Sequence, residues 1–439
     1  MTFRSFRVSR SSFSGGGGWP AATEVHNDKR GTRNVISPMN RYTSFDPPEY
    51  VNWHPDPQVV AEYQGTIDAN AERREIIRSL TPSQLIALYE GLVRNRLHDI
   101  ALQRWVKQGV ISKAWLGTGE EATTIGAVHA LERREWSDGL STDFVAPMIR
   151  NAGAYHEMGL PVADMLRGYL GTADSPTRGR DLHIGDFKRG LLAAISHVGD
   201  LMAATVGVAL SFKMRREPRV ALTWIGDGST KNGVFHEAMN FAAVQRLPII
   251  VIIQNNQVAL GTRLDQHHKS SFSNWPEAYG VEGWGYDGNN VLDAYAAVKM
   301  AADLCRADAS FEPSNRRGPF LLVAETFRMG GHATHDEREA RQTFDGKLFA
   351  HWGKRDPVGL FENHLIEGTL DLESGRRVRR SPSLRDRNVS TLRQAEERVT
   401  AEVELAIEEA LASKGLMPSP ESAAEGIYAE NASRFSLRV

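Results

Sequence analysis

Residues 220–229 read VALTWIGDGS and residues 248–256 read PIIVIIQNN. Each is an apolar run that ends in turn-forming and polar residues, and the second is rich in β-branched side chains. Val220–Ile225 and Pro248–Gln254 therefore read as buried strands. Between them, Gly233–Val244 carries the apolar spacing of a helix. In a right-handed strand–helix–strand unit both strands end at the same edge of a parallel sheet. Asp227 and Asn256, 29 positions apart, are then delivered side by side at the carboxyl edge. That edge is where open α/β sheets bind ligands.

The alternation continues outward. Asp143–Ala146 is a short apolar stretch, a helix runs from about Leu201 to Met214, Val291–Leu304 is a helix, and Pro319–Thr326 is a third strand. The expected fold class is α/β, a doubly wound, mostly parallel sheet flanked by helices. Thr81-Pro82-Ser83-Gln84 starts a helix with a capping-box pattern, and its apolar positions continue to about Lys107. Gly119-Glu120-Glu121-Ala122 opens another. The expected organisation is a disordered or targeting-like tail over residues 1–45, an extended wrapping arm over 46–80, the α/β domain over 81–365, and a C-terminal helical or irregular extension over 366–439. The arm is read from Asp46-Pro47-Pro48 and Pro55-Asp56-Pro57. The chain is expected to turn irregular and charged after 340, with a last helix from about Thr391 to Ser413.

Composition excludes several function classes. A formal charge of −2 over 439 residues is too even for a dedicated nucleic-acid binder. No apolar run approaches membrane-spanning length, so no membrane is expected. The single cysteine, Cys305, rules out a disulfide framework or a multi-cysteine metal site within one chain and fits a reducing compartment. A bacterial cytoplasm is expected. Residues 1–22 hold Arg4, Arg7 and Arg10 and no acid, which also fits a transit peptide and hence the mitochondrial matrix. The run Gly15–Gly18 argues against an amphipathic targeting helix.

A carboxylate and a carboxamide oxygen are hard ligands suited to Mg²⁺, which completes its octahedron with water and phosphate oxygens. Gly226 and Gly228 permit a tight turn and let backbone N–H groups approach a phosphate. The parts predict a metal-bridged diphosphate site. Gly-Asp-Gly alone would be only a turn, as the fragment Asp287-Gly288-Asn289-Asn290 shows; the strand–turn–helix–strand frame is what distinguishes it. The segment lacks the Gly-Lys-Ser/Thr of a P-loop and the third-glycine spacing of a dinucleotide fingerprint. The third strand runs into Gly330-Gly331-His332. A glycine pair there makes a flexible loop presenting an imidazole, an acid/base group near neutral pH. The alternatives are a surface loop with incidental histidines, or a zinc site from His332, His335 and Asp336, whose ligand set is short and irregular.

Gly226-Asp227-Gly228 followed by Asn255-Asn256 resembles the signature of thiamine diphosphate enzymes. The stretches FHEAMNFAA (235–243) and QNNQVALGT (254–262) narrow it. They resemble the alpha subunit of the decarboxylating component of pyruvate and branched-chain 2-oxo acid dehydrogenases. The similarity covers roughly residues 80–365 and the acidic final helix. It implies the thiamine diphosphate-binding fold, with Asp227, Asn256 and the Val258 carbonyl on Mg²⁺. It implies backbone contacts from Gly228 and Ser229 to the diphosphate, and a pairing of Arg150 with it. Ser196 and Val198 would meet the aminopyrimidine side. His332 would sit near diphosphate and substrate as the catalytic acid/base group. The implied partners are a beta subunit in an α₂β₂ heterotetramer, the lipoyl domain of the acyltransferase, and a 2-oxo acid substrate. The chain would then be inactive alone.

Several positions depart from the family pattern. Ile149 stands where a tyrosine is usual, removing one diphosphate hydrogen bond. Val258 also replaces a common tyrosine, but there the ligand is a carbonyl. Ala333 follows His332 where animal members carry a regulatory serine, which excludes phosphorylation at that position. The polar side chains that hold a structural K⁺ in some branched-chain enzymes are not matched around Ile195–Leu201. Gln108–Ser112, Gly119-Glu120-Glu121 and Ala194-Ile195-Ser196 look closer to the branched-chain type than to the pyruvate type. Acetoin dehydrogenase and a non-catalytic scaffold are the competing readings, and an NAD-binding oxidoreductase lacks its fingerprint.

Overall fold

The computed structural model describes residues 53–133, 142–306 and 317–424. The tail read at residues 1–45 lies outside the described residues. Five strands form one sheet: β1 (Phe144–Ala146), β2 (Ala221–Gly226), β3 (Ile249–Asn255), β6 (Gly285–Asp287) and β7 (Phe320–Glu325). Their spatial order is β1-β2-β3-β7-β6 and every pairing is parallel. A small antiparallel hairpin of β4 (Val258–Ala259) and β5 (Thr262–Arg263) follows β3.

Alternation along the strands builds two cores. Leu222 and Trp224 of β2, Ile250 and Ile252 of β3, and Phe320 and Leu322 of β7 join one cluster. Ala221, Ile225, Ile249, Val251, Ile253, Leu321 and Val323 join the other. Successive strand residues point to opposite faces, so an all-apolar run needs a helix layer on both sides. The helices Pro82–Lys107, Glu121–His129 and Val291–Arg306 supply the first layer, and Asp200–Arg215 and Gly233–Gln245 supply the second. The α/β expectation holds. The pairing of Gly226 with Gln254 aligns the ends of β2 and β3, so Asp227 and Asn256 leave the sheet at one edge.

Four local expectations are corrected. Residues 57–78 are not extended: they form the helices Pro57–Ala69 and Ala71–Arg78. Asp56 caps the first by accepting from the Gln58 and Val59 N–H groups, and Pro57 takes the first helical position. Asp56-Pro57, expected in an extended segment, instead starts a helix. After residue 340 the chain is helical in Gly346–Gly353 and Pro357–Ile366 rather than irregular. The final helix begins at Pro382, not near 391, because Ser381 caps it through the Leu384 N–H. Strand β6 was not foreseen: three residues beginning with glycine become a strand only by pairing with β7. No helix among the described residues is long and apolar enough to cross a membrane.

Candidate active site

The ends of β1 and β2 open on a cavity of about 280 Å³. Arg150, Ser196, Val198, Ser229 and His332 line it, with Trp115, Met148, Ile149, Ile195 and Met202 as apolar walls. Five of the sequence-predicted residues therefore share one cavity. Asp227, Asn256 and Val258 are buried beside it, in and after the turns that close β2 and β3. A second cavity, of about 500 Å³, lies against the helices Pro57–Ala69 and Ala71–Arg78 and contains none of the predicted site residues.

The Asp227 group is electrostatically incomplete. Its Oδ2 is buried and has no hydrogen-bond partner. Burial pushes its carboxyl up to about 6; the Glu120 charge adds to that, while the Gly228 N–H and the Arg328 guanidinium pull the other way. His267 Nε2 stands 3.5 Å from Asp227 Oδ2, and burial pulls that imidazole below its ordinary value, toward the uncharged form. Arg328 is spent on carbonyls, donating to Val258 O at 3.3 Å and Leu260 O at 3.1 Å. A carbonyl has two lone pairs, so the Val258 oxygen keeps capacity for another partner. Glu120 Oε2 is also buried and accepts no hydrogen bond, with Arg150 Nε 3.7 Å away. A buried carboxylate oxygen without a hydrogen-bond donor, as at Asp227, fits a hard cation. Among the described residues no group of three or more His, Cys, Asp or Glu side chains could hold a metal ion. A donor set of one carboxylate, one carboxamide and one carbonyl is of a different kind.

Glycine at 228 is required, but not for turn conformation. Its φ is −66°. A Cβ there would lie 2.5 Å from the Ala259 Cβ. The hairpin that carries the Val258 carbonyl therefore packs directly on the turn that carries Asp227. Gly226 has no such neighbour: its nearest contact would be Ser229 Oγ at 3.6 Å. Gly228→Ala is expected to cost about 1–3 kcal/mol by overpacking. Urea unfolding of the metal-free chain measures it, with Gly226→Ala as the milder control.

Arg150 donates to Leu116 O at 2.8 Å and to His332 O at 2.9 Å, and its Nη2 reaches His332 Nδ1 at 3.4 Å. An arginine only donates, so Nδ1 accepts in that contact and the imidazole proton sits on Nε2. Burial, then Arg150 and Arg328, pull His332 down to about 4. In this chain the ring is therefore a neutral N–H donor at physiological pH, rather than a group poised at neutrality. The loop is also pinned: Asp336 accepts from the His332 and Ala333 N–H groups at 3.1 and 2.8 Å. A Cβ on Gly331 would meet Asp336 Oδ1 at 2.5 Å. Asp336 thus serves the backbone, which removes it from a zinc set with His332 and His335. Ser196 and Val198 lie on an exposed segment anchored by Asn232, whose side-chain amide donates to Val198 O at 2.6 Å.

The family model described as dehydrogenase E1 component matches residues 90–382, more than half of the chain. The chain belongs to the dehydrogenase E1 component family. It is similar to 3-methyl-2-oxobutanoate dehydrogenase subunit alpha of Mycobacterium tuberculosis, 30% identical over 302 residues, covering 68% of this chain and 75% of that one. It is similar to 2-oxoisovalerate dehydrogenase subunit alpha of Bacillus subtilis at 28% over 296 residues, covering 66% and 84%. It is also similar to pyruvate dehydrogenase E1 component subunit alpha of Porphyra purpurea at 28% over 306 residues, covering 66% and 83%. This E1 chain is a thiamine diphosphate-dependent 2-oxo acid dehydrogenase of the alpha-subunit type, which implies a beta partner. The structure adds to its site residues that received no role from the sequence: Glu120, Arg328 and Trp115. Glu120 and Arg328 become visible only through contacts with residues 136 and 70 positions away.

Proposed function

We propose that this E1 chain holds thiamine diphosphate through Mg²⁺ and, with a beta subunit, decarboxylates branched-chain 2-oxo acids. The observation that carries the reading is the buried Asp227 carboxylate, whose Oδ2 has no hydrogen-bond partner, beside the Arg150–His332 cavity. Asp227, Asn256 Oδ1 and the Val258 carbonyl would hold the cation. Arg150 and the Gly228 and Ser229 backbone would hold the diphosphate, the guanidinium by charge-assisted bonds. Ser196 and Val198 would face the aminopyrimidine. When bound, thiamine diphosphate supplies the carbon nucleophile and the electron sink for loss of CO₂. His332 would offer its Nε2–H to an oxygen of substrate or diphosphate, with Arg150 fixing the tautomer. Trp115, Met148, Ile149 and Ile195 give the cavity an apolar wall that suits a branched aliphatic side chain.

Ile195 is 38% exposed and Val198 57%, and both line the cavity; Leu260, 59% exposed, sits at the tip of the hairpin that carries Val258. Apolar residues left open around an unfinished site favour a partner surface. That partner is proposed to be the beta subunit of an α₂β₂ heterotetramer, with a lipoyl domain as acyl acceptor and a bacterial cytoplasm as the compartment.

Steady-state rates of the α chain reconstituted with its beta subunit test the substrate class. A kcat/KM for 3-methyl-2-oxobutanoate at least about tenfold above that for pyruvate is expected, since a methylene or two in an apolar pocket is worth that much. Equal rates on both would remove the branched-chain label. Titration calorimetry of the same assembly is expected to show thiamine diphosphate binding only with Mg²⁺ present.

A further inference from the structure

One carboxylate joins the two halves of the site. Glu120 is 1% exposed and lies at the start of the helix Glu121–His129. Its Oε1 accepts from Gln254 Nε2 at 2.5 Å and from Asn256 Nδ2 at 2.9 Å. A carboxylate cannot donate, so both amides must turn their NH₂ groups toward it and their oxygens away. For Asn256 this leaves Oδ1 as the free end, with only a 3.3 Å contact from the Val258 N–H. For Gln254 it leaves Oε1 to accept from Asn151 Nδ2 at 3.0 Å. Asn151 donates from the same nitrogen to Thr124 Oγ1 at 2.7 Å, and its Oδ1 accepts from the Met148 N–H at 3.2 Å. The turn 148–151 carries Arg150, whose Nε stands 3.7 Å from Glu120 Oε2. Gln254 and Asn151 are 0% and 1% exposed, so water does not offer the amides another arrangement.

We propose that Glu120 is a positioning residue: it fixes the Asn256 amide so that oxygen, not nitrogen, faces the cation, and through Gln254 and Asn151 it fixes the turn that carries Arg150. The inference rests on the reading of Asp227, Asn256 and Val258 as the cation site. A flipped Asn256 amide would present a donor to a cation, which no carboxamide can ligate through its NH₂ group. Groups that orient a ligand from behind are commonly worth 10–100-fold in metal affinity.

The test is Mn²⁺ binding to the α chain assembled with its beta subunit, at saturating thiamine diphosphate, with free Mn²⁺ read by electron paramagnetic resonance. Glu120→Ala is expected to raise the Mn²⁺ Kd by about 10–100-fold. Glu120→Gln keeps an acceptor oxygen for both amides and is expected to stay within about threefold of wild type. In an Asn256→Asp background two carboxylates face each other, and there Glu120→Gln restores a donor and tightens binding at least about tenfold. This dependence on position 256 is a readout that a merely structural role would not give, and it decides the matter if Glu120→Ala does not fold. Glu120→Ala binding as wild type, or Glu120→Gln acting equally in both backgrounds, overturns the proposal while leaving the cation site in place. No Mn²⁺ binding by the wild-type assembly overturns the cation site itself, and the proposal with it.

Discussion

Asp227→Asn is expected to abolish catalysis and at the same time to make the metal-free chain more stable. The two effects share one cause. The Asp227 carboxylate is buried, its Oδ2 lacks a partner, and Glu120 adds a like charge nearby. Its carboxyl is pushed from 3.8 up to about 6. A raised carboxyl means that the folded chain holds the proton more tightly than the unfolded one. The ionised group therefore costs folding free energy above about 6, and that cost vanishes below 3.8. Two pH units correspond to about 3 kcal/mol as an upper figure. The carboxamide removes the buried charge and its repulsion with Glu120. Thermal unfolding of the metal-free chain near pH 8 is expected to show the variant melting higher, with the gap closing as pH falls toward 4. The reconstituted assembly is expected to lose activity on the order of 10³-fold, because the charged ligand of the cation is gone. A variant that is less stable than wild type at every pH would mean that the carboxylate is satisfied by protein alone, which contradicts a cation site.

Much of this was legible in the sequence, and the reason is physical. Short apolar runs closed by glycine or asparagine, the second rich in β-branched residues, read as strands covered on both faces, so β2, β3 and their carboxyl-edge turns follow from residues 220–256. His332 is legible as an imidazole on the loop that follows the third strand, whereas the roles of Arg150, Ser196, Val198 and Ser229 need the family resemblance, because their elements meet only in space. Glu120 was invisible in role: an acid at a helix start reads as a dipole partner, and its amide contacts lie 134 and 136 positions away. His332 looked like a group near neutrality, because nothing local shows that Arg150 and Arg328 stand beside it. The N-terminal helices were missed since Asp-Pro marks both a helix start and an extended stretch, and only the residues that follow decide.

Arg96 shows the same limit and carries the largest expected effect on stability. By residue type an arginine would pass for solvent-facing, yet helical spacing sets position 96 four after Leu92 on the buried face, and it is 2% exposed. Its Nε donates to Glu121 Oε1 at 2.6 Å and its Nη2 donates to Asp356 Oδ1 at 2.7 Å. Both acids have fully buried side chains. Asp356 also caps the helix Pro357–Ile366 through the Val358 N–H. Glu121 Oε2 accepts from the Gly119 N–H at 2.8 Å and so holds the turn in which Glu120 sits. Arg96→Leu keeps the packing volume but removes the guanidinium from which both buried carboxylates accept. Breaking a buried pair in this way costs about 3–5 kcal/mol, against a total stability of about 5–15 kcal/mol for a domain. Burial already pushes the Glu121 carboxyl up to about 7 with Arg96 in place, and removing the guanidinium can only push it higher. The penalty is therefore greatest above pH 7, where Glu121 would have to ionise, and shrinks as pH falls and it takes up a proton. Urea unfolding at pH 8 and pH 6 measures both the size and this trend. Adding Glu121→Gln to Arg96→Leu removes one stranded charge and is expected to recover part of the loss at pH 8. A pH-independent penalty would mean that Arg96 acts through packing alone, and the chain of contacts from Arg96 through Glu121 to the Glu120 turn would then carry no electrostatic weight.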